Sequence, residues 1–396
     1  MHIGPLLPSE QVSRPREGEG MAARDVLALK DPVALTADLI DIPSVSGDEK
    51  RIADAVEAAL RGGRHLEVLR DGDAVMARTK LGHGRRVIVA GHLDTVPIGD
   101  NIPHRRATVH GVDTLIGRGS VDMLGGVAAA LYAALQVTEP TCDVTWIFYD
   151  HEEVDAALNG LGRLATRYPQ WMEADFAVLC EPTNGLVEGG CNGTARICVS
   201  FSGVAAHTAR PWRGDNAIHR MAAAIDAVAA YGNPDVYVDG LAYKESMSVV
   251  KVDGGVASNV VPDSARMWVN YRFAPSRTEA EAHARVARLV HRASGGGVEL
   301  RIDDSAPGAR PGLDSPQAAP FLRAVARAYG RGDGTLDGLV GPKYGWTDVA
   351  RLSAQGVPAV NYGPGDPLLA HTQDEYVPTA QIRTCAHTLI DWLSSQ

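Results

Sequence analysis

Short, uninterrupted apolar runs alternate along this chain with stretches of helical periodicity, and this alternation is the feature that most restricts its fold. The runs have the length of buried strands and lie at residues 87–90, 144–148, 176–179 and 357–360. Strands buried on both faces and separated by helices are typical of a mostly parallel sheet. Helical patterns at residues 125–135 and 380–393 supply covering layers. The sequence therefore predicts an α/β fold with an open, mostly parallel sheet.

The middle of the chain has a different pattern, in which strands with better alternation of apolar and polar residues are separated by two helices. The predicted elements are strands at 196–201, 246–252, 266–272 and 298–302 and helices at 217–231 and 278–292. Their order, β-α-β-β-α-β, is typical of a ferredoxin-like α+β domain. We predict that residues 195–306 form such a domain, inserted into a catalytic domain made of residues 25–194 and 307–396. The prolines and glycines of residues 303–316 predict a return linker.

The first residues of the chain and its cysteines indicate the cellular compartment of the protein. Residues 1–24 contain three prolines and a Gly-Glu-Gly stretch but no continuous apolar segment of a secretory signal. We expect them to be a disordered extension, with Met21 as an alternative to Met1 as the true start. The five cysteines are scattered and never spaced as Cys-x-x-Cys. This usage indicates a reducing compartment without a disulfide framework, so we expect the cytoplasm.

Charge and hydropathy limit the classes of partner. The formal net charge is −10, from 38 basic and 48 acidic residues. This balance argues against nucleic acid and anionic membranes as main partners, but it leaves a small substrate open. No apolar run approaches the roughly 20 residues of a membrane-spanning helix. We expect a small-molecule substrate, no nucleic acid and no membrane.

Potential metal ligands follow the predicted strands. They are His92 with Asp94, Asp122 in a glycine turn at 117–126, Glu152 with Glu153, Glu181 and His371. Ligands of open parallel sheets gather beyond the carboxyl ends of the strands, which is where these groups lie. The joint occurrence, in order and at strand ends, predicts one metal centre. Each motif taken alone also suits a solvated loop histidine, a helix N-cap or a charged surface.

The residue types predict two divalent ions that share one carboxylate. His92 and Glu181 would bind the first ion, Glu153 and His371 the second, and Asp122 both. Nitrogen and oxygen ligands of this kind suit zinc, with cobalt or manganese as alternatives.

The remaining members of these motifs have predicted catalytic tasks. Glu152, next to a ligand, is the predicted general base that takes a proton from the attacking water. Asp94 would accept the second ring N–H of His92 or otherwise brace the ring. The predicted chemistry is hydrolysis of an amide bond.

These motifs resemble those of the M20 metallopeptidase family from about residue 30 to the end of the chain. The resemblance rests on His92-x-Asp94, Gly119-x-x-Asp122, Glu152-Glu153, Glu181 and His371. It implies a di-zinc amide hydrolase whose inserted lid domain also forms a homodimer.

Five more stretches resemble a subgroup of that family that hydrolyses N-succinyl-LL-2,6-diaminopimelate to succinate and LL-2,6-diaminopimelate. They lie at residues 188–191, 214–219, 270–273, 343–348 and 361–367. The resemblance implies that His207 reaches the partner's active site and stabilises the oxyanion. It also implies that Asn259, Arg272 and Thr347 hold substrate carboxylates.

The chain departs from the family pattern at two positions. Leu368 stands where relatives carry asparagine, and Cys191 where some carry arginine. Three alternatives therefore stay open. They are deacylation of another N-acylated amino acid such as N-acetyl-ornithine, cleavage of a dipeptide, and metal or peptide binding without catalysis.

Overall fold

The computed structural model describes residues 27–395, and the predicted extension at 1–24 lies outside the described residues. No helix of the described part is long and apolar enough to cross a membrane. The α-helices are α1 (Pro32–Ile40), α2 (Lys50–Gly62), α3 (Leu124–Gln136), α4 (Gly160–Arg167), α5 (Pro169–Met172), α6 (Ala217–Ala229), α7 (Glu279–Ser294), α8 (Ala319–Ala328), α9 (Val349–Ala354) and α10 (Thr379–Ser394). Short 3-10 helices lie at Pro211–Arg213 and Pro367–Leu369.

The strands contain the predicted apolar runs at 87–90, 144–148 and 176–179, and of the run at 357–360 they contain the last two residues. They are β1 (Glu67–Asp71), β2 (Ala74–Arg78), β3 (Arg86–His92), β4 (Arg105–Val109), β5 (Val112–Ile116), β6 (Asp143–Tyr149), β7 (Phe176–Leu179), β8 (Val187–Gly189), β9 (Gly193–Ser202), β10 (Ala206–His207), β11 (Asp235–Val238), β12 (Leu241–Lys244), β13 (Ser246–Gly254), β14 (Val260–Val261), β15 (Ser264–Phe273), β16 (Val298–Ala306), β17 (Val340–Pro342), β18 (Ala359–Asn361) and β19 (Tyr376–Pro378).

The main sheet has its parallel strands at the centre. Its order is β1-β2-β6-β3-β7-β18-β8-β17, and β3 pairs in parallel with both β6 and β7. Successive residues of β3 serve different layers: Val87 and Val89 pack in one hydrophobic cluster, and Ile88 and Ala90 in the other. A strand buried on both faces needs no polar alternation, which is why the sequence shows a continuous apolar run. The predicted α/β class with a mostly parallel main sheet is confirmed.

A second, antiparallel sheet is formed by the middle of the chain. Its order is β13-β15-β9-β16, and α6 and α7 pack on it over a separate hydrophobic cluster. The chain order β9-α6-β13-β15-α7-β16 follows the ferredoxin-like pattern, with the β11–β12 hairpin added after α6. The predicted boundaries at 195 and 306 fall near the start of β9 and at the end of β16. The division into two domains stays a prediction.

Two parts of this region differ from the sequence-based expectation. Strand β16 continues to Ala306, so the predicted linker at 303–316 is wrong over its first residues. A register shift between Ile302 and Asp304 keeps the polar end of the strand paired with β9. The β11–β12 hairpin was not predicted, although Asp239-Gly240 has the left-handed backbone (φ +47° and +86°) of a two-residue hairpin turn.

A small antiparallel sheet of three strands was not predicted from the sequence. Its order is β19-β5-β4. Strand β5 leads into the glycine turn at 117–126, and β19 follows the loop that carries His371. These two distant segments are therefore adjacent through backbone pairing of β5 with β19.

The carboxylate of Glu245, a fully buried residue between β12 and β13, is held by four donors. One oxygen accepts the Ala274 amide at 3.1 Å and the Arg277 guanidinium, and the other accepts the hydroxyls of Tyr231 (2.7 Å) and Tyr271 (3.0 Å). Burial by itself would raise the pKa of Glu245, but the hydrogen bonds from Arg277, Tyr231 and Ala274 hold it below its ordinary value of 4.5. The ionised form therefore stabilises the folded state.

We expect Glu245→Gln to lower the free energy of unfolding by about 3 kcal/mol at neutral pH, because one member of a buried ion pair is removed. Since the folded-state pKa is depressed, this contribution is present above pH 4.5 and is lost as the pH falls through the folded-state value. Urea denaturation of both proteins between neutral and acidic pH should show the gap shrinking toward acid. A gap that widens toward acid would contradict this assignment.

Candidate metal centre

The predicted ligands meet at one edge of the main sheet. Strands β6, β3, β7 and β18 are neighbours and run parallel, so their carboxyl ends lie at the same edge. His92 is the last residue of β3, and Glu181 follows β7. The pair Glu152-Glu153 follows β6, and His371 lies in the loop after β18. The parallel topology therefore converts a spacing of 279 residues between His92 and His371 into proximity.

Asp122 lies between the two histidines. Its Oδ1 is 3.2 Å from Nε2 of His92, and its Oδ2 is 3.3 Å from Nε2 of His371. Asp122 does not cap α3: the N-cap is Met123, and no side chain caps that helix. Two oxygens directed at two different histidines form the arrangement that a carboxylate shared by two cations requires.

The donor atoms fall into groups that share members. One group is His92, Asp122 and Glu181, another is Asp122, Glu153 and His371, and within each group the atoms lie within 4.8 Å of one another. A third group joins His92 to Glu152 and Glu153. Imidazole and carboxylate donors at this spacing fit divalent ions such as zinc.

The pKa shifts and the excess of carboxylates in the site also favour the binding of cations. Burial, and then the charge of Asp122, raises the pKa of Glu181 to about 8. Burial raises the pKa of Glu152 well above its usual range. Hydrogen bonds to Asp122 and Glu153 raise the pKa of His371 to about 10. The carboxylates outnumber the histidines in a desolvated cluster, and such a cluster is stabilised when positive ions enter it.

Asp94 braces both the histidine and the glutamate pair. The ring Nδ1 of His92 lies 2.9 Å from the backbone carbonyl oxygen of Asp94 and 3.6 Å from its carboxylate, so the main chain makes the predicted contact to the ring. The carboxylate accepts the amides of Glu152 and Glu153, both at 3.0 Å, and the hydroxyl of Ser46 at 2.7 Å. Asp94 therefore fixes the turn that carries the predicted base and one ligand.

A second buried carboxylate, Glu49, holds the same turn and was not predicted. It accepts the amides of Gly47 (2.9 Å) and His151 (3.2 Å). His151 has a left-handed backbone (φ +58°), which is uncommon for a non-glycine residue. Glu49 and Asp94 together bind three successive amides of this turn. The sequence contained no local signal for Glu49, because its partner lies 102 residues away.

The other predicted site residues do not join this cluster. His207 on β10 and Asn259 just before β14 are exposed, and within residues 27–395 no hydrogen bond or ion pair links either to the ligands. Thr347 is buried, and its hydroxyl donates to Asn361 at 2.9 Å. Arg272 is half-buried on β15, burial lowers its pKa, and its guanidinium has no hydrogen-bond or ion-pair partner in the described part of the chain. An unpaired, partly desolvated guanidinium is a candidate anion receptor.

A cleft of about 730 Å³ opens beside Glu152. One wall is formed by Trp346 and by Arg351 on α9, and the other by Thr194 and Arg196 on β9. The cleft therefore lies between α9, which packs on the main sheet, and strand β9 of the second sheet.

Comparison with known proteins gives a family assignment. Residues 88–395 match the sequence profile described as peptidase family M20/M25/M40. This range contains all five predicted ligands and Glu152.

Two curated relatives are similar over nearly their whole length. A candidate succinyl-diaminopimelate desuccinylase, DapE, of Mycobacterium tuberculosis is 50% identical over 364 residues, which cover 92% of this chain and 98% of that protein. A succinyl-diaminopimelate desuccinylase of Corynebacterium glutamicum is 45% identical over 371 residues, which cover 92% of this chain and 97% of the relative.

Solved structures share the fold at low sequence identity. Aminopeptidase PepT from Bacillus cereus superposes with a TM-score of 0.72 at 18% identity, covering 93% of this chain and 98% of that one. The YXEP protein of Bacillus subtilis, described as a dinuclear metal-binding peptidase, has a TM-score of 0.66 at 16% identity, with 91% and 96% covered. At these identities the likeness establishes the arrangement of sheets and helices.

Proposed function

The chain belongs to the peptidase family M20/M25/M40, and from this premise we propose that it is a metal-dependent amide hydrolase that cleaves N-succinyl-LL-2,6-diaminopimelate to succinate and LL-2,6-diaminopimelate. The substrate assignment is supported by the high sequence identity, over almost the full length, with two relatives whose names state this activity. The cluster of ligands with Glu152 beside it supports the reaction type.

We propose that two divalent ions, zinc in the first place and otherwise cobalt or manganese, bind at the edge of the main sheet. His92 and Glu181 would hold one, Glu153 and His371 the other, and Asp122 both, as the two donor groups allow. When bound, such ions lower the pKa of a water molecule and polarise the substrate carbonyl.

Glu152 is the proposed general base. Its amide is fixed by Asp94 at 3.0 Å, and its carboxylate belongs to neither of the two groups that share Asp122. Burial raises the pKa of Glu152, and the two cations proposed beside it would favour the ionised carboxylate that can accept a proton. Glu152 would take the proton of the attacking water and then donate it to the leaving amine.

The substrate's carboxylates need cationic or hydrogen-bonding partners. Arg272 offers the unpaired guanidinium described above, and a bidentate contact would orient one carboxylate. Thr347 lies next to Trp346, which lines the cleft beside Glu152. We propose that the acyl amino acid lies in this cleft, with Arg272, Asn259 and Thr347 on its carboxylates, for which the Thr347 hydroxyl would turn away from Asn361.

We propose a homodimer in which each subunit supplies His207 to its partner. His207 is exposed and, among the described residues, makes no hydrogen bond to the ligand cluster of its own chain, while its Nδ1 accepts the amide of Ala209 at 3.0 Å. That bond leaves the Nε2–H free to donate to a developing oxyanion.

Mixing two inactive variants tests this arrangement. Glu152→Gln and His207→Ala subunits, unfolded together and refolded, should regain activity, because one site of each mixed dimer then contains both wild-type side chains. Each variant refolded alone is the control. If the mixture stays as inactive as the separate variants while dimers form, His207 does not act across subunits.

All five cysteines are buried and free in the described structure. Free thiols are typical of proteins in a reducing compartment. We therefore propose the cytoplasm as the location.

Comparing three substrates tests the proposed activity directly. Hydrolysis of N-succinyl-LL-2,6-diaminopimelate, N-acetyl-ornithine and a dipeptide should be followed with zinc, with a chelator, and with zinc restored. We expect the succinyl substrate to have the highest kcat/KM, and its hydrolysis to stop and resume with the metal. Preference for either other substrate would reassign the chain within the family, and no hydrolysis of any would favour a binding protein.

A further inference from the structure

Arg118 and Glu375 form a buried ion pair that the mechanism above does not use. Nη1 of Arg118 lies 2.9 Å from Oε2 of Glu375, and the two residues are 6% and 1% exposed. They are 257 residues apart in the chain. Taking two charges out of water is costly, so a buried pair with no other task is often no more stable than apolar residues of similar volume.

The remaining hydrogen bonds of the pair end on the backbone of segments that carry ligands. Arg118 donates to the carbonyls of Pro97 and Thr372, each at 3.2 Å. Glu375 accepts the amides of Val121 (2.8 Å) and Asp122 (3.0 Å) through its other oxygen.

Three separate ligand-bearing segments are thereby connected. Pro97 lies in the loop after His92, Asp122 is itself a predicted ligand, and Thr372 follows His371. In addition, the amide of Gly117 donates to the backbone carbonyl of Glu375 at 3.0 Å. The pair is the point at which these segments are held together.

The histidine of the second ion is the ligand that most needs such support. The side chain of His371 is 50% exposed, and its backbone is left-handed (φ +65°). His92, in contrast, is buried at the end of a central strand. A ligand on an exposed loop is positioned only as well as its loop is anchored.

We propose that Arg118 and Glu375 are positioning residues that set the affinity of the ion site containing Asp122, Glu153 and His371. They act through the Asp122 backbone and the segment after His371, and they contact neither ion nor substrate. This inference rests on the metal pair of the proposed function, but not on the identity of the substrate.

The test is Glu375→Gln in the full-length protein, stripped of metal and titrated with zinc by calorimetry. Glutamine keeps the volume but replaces one acceptor oxygen with an NH₂ group, which then faces either Arg118 or the two amides. We expect the affinity for the ion held by Glu153 and His371 to fall by about 10- to 100-fold, the usual effect of removing an outer partner of a ligand. The affinity for the ion held by His92 and Glu181 should change by less than about threefold.

Arg118→Lys is the second variant and keeps the test decisive if Glu375→Gln fails to fold. Lysine retains the charge, but its single nitrogen cannot span Pro97, Thr372 and Glu375 together. We expect the same selective loss at the second ion, in smaller degree. Cobalt substitution, read by visible absorption, gives an independent record of which site fills.

Glu245→Gln is the matched control, because Glu245 is an equally buried carboxylate paired with an arginine in the other domain. It should lower stability and leave both zinc affinities unchanged. Equal weakening of both ions in Glu375→Gln, or wild-type affinities in folded Glu375→Gln and Arg118→Lys, would overturn the proposal. Selective loss of the second ion would support it even if the wild-type protein did not cleave the succinyl substrate.

Discussion

Replacing Glu152 with glutamine is expected to lower kcat by about 10²- to 10⁴-fold, the range attributed to a positioned general base. The backbone of Glu152 is fixed by Asp94 whatever its side chain is, so glutamine should occupy the same place. Glutamine cannot accept the proton of the attacking water, while the ligand groups that share Asp122 stay intact. The loss should therefore fall on turnover and not on metal content.

The measurement is kcat on the best substrate, together with the zinc content after gel filtration. Glu173→Gln, at an exposed position outside the site, is the control and should behave as the wild type. Near-normal turnover by Glu152→Gln would exclude Glu152 as the base. Loss of bound zinc would instead identify it as a ligand.

Replacing Asp122 with asparagine is expected to leave at most one ion bound and to lower activity by more than about 10²-fold, since a direct ligand contributes more than the outer partners whose loss costs up to that amount. The two oxygens of Asp122 lie 3.2 and 3.3 Å from different histidines. Asparagine offers one oxygen and one NH₂ group, so it can face only one cation and carries no charge.

Zinc per chain after dialysis, measured together with activity, tests this expectation. Asp226→Asn, on the exposed surface of α6, is the control and should keep its metal. Two ions bound to Asp122→Asn with wild-type affinity would show that Asp122 does not bridge them. Full activity with a single ion would remove the need for the second site.

Much of the ligand cluster was accessible from sequence because each member stands beside a strong local signal. His92 and Glu181 each lie within two residues of the end of an uninterrupted apolar run, and these runs form strands β3 and β7. Parallel strands share one carboxyl edge, so local periodicity was enough to infer that the ligands converge. The β11–β12 hairpin, in contrast, had its signal in Asp239-Gly240 and was missed.

The groups that hold the ligands in place had no local signal. Glu49 acts on the amide of His151, 102 residues away, and Glu375 on the amide of Asp122, 253 residues away. A carboxylate that accepts backbone amides can serve any residue type, so nothing in the sequence at either end marks the contact. The small β19-β5-β4 sheet was not predicted for a similar reason, because the pairing of β19 with β5 joins segments far apart in the chain.

By itself, the sequence determined the α/β class, because its uninterrupted apolar runs mark the buried strands. It also indicated which side chains gather at the sheet edge, because these are the side chains that follow the runs. Only the tertiary structure decided how those side chains are aimed. It places the two oxygens of Asp122 near different histidines. The turn that carries Glu152 is held by hydrogen bonds to Asp94 and Glu49. The loop that carries His371 is anchored by the ion pair of Arg118 and Glu375. The orientation of these side chains depends on hydrogen bonds between segments that are distant in sequence, and these bonds exist only once the chain has folded.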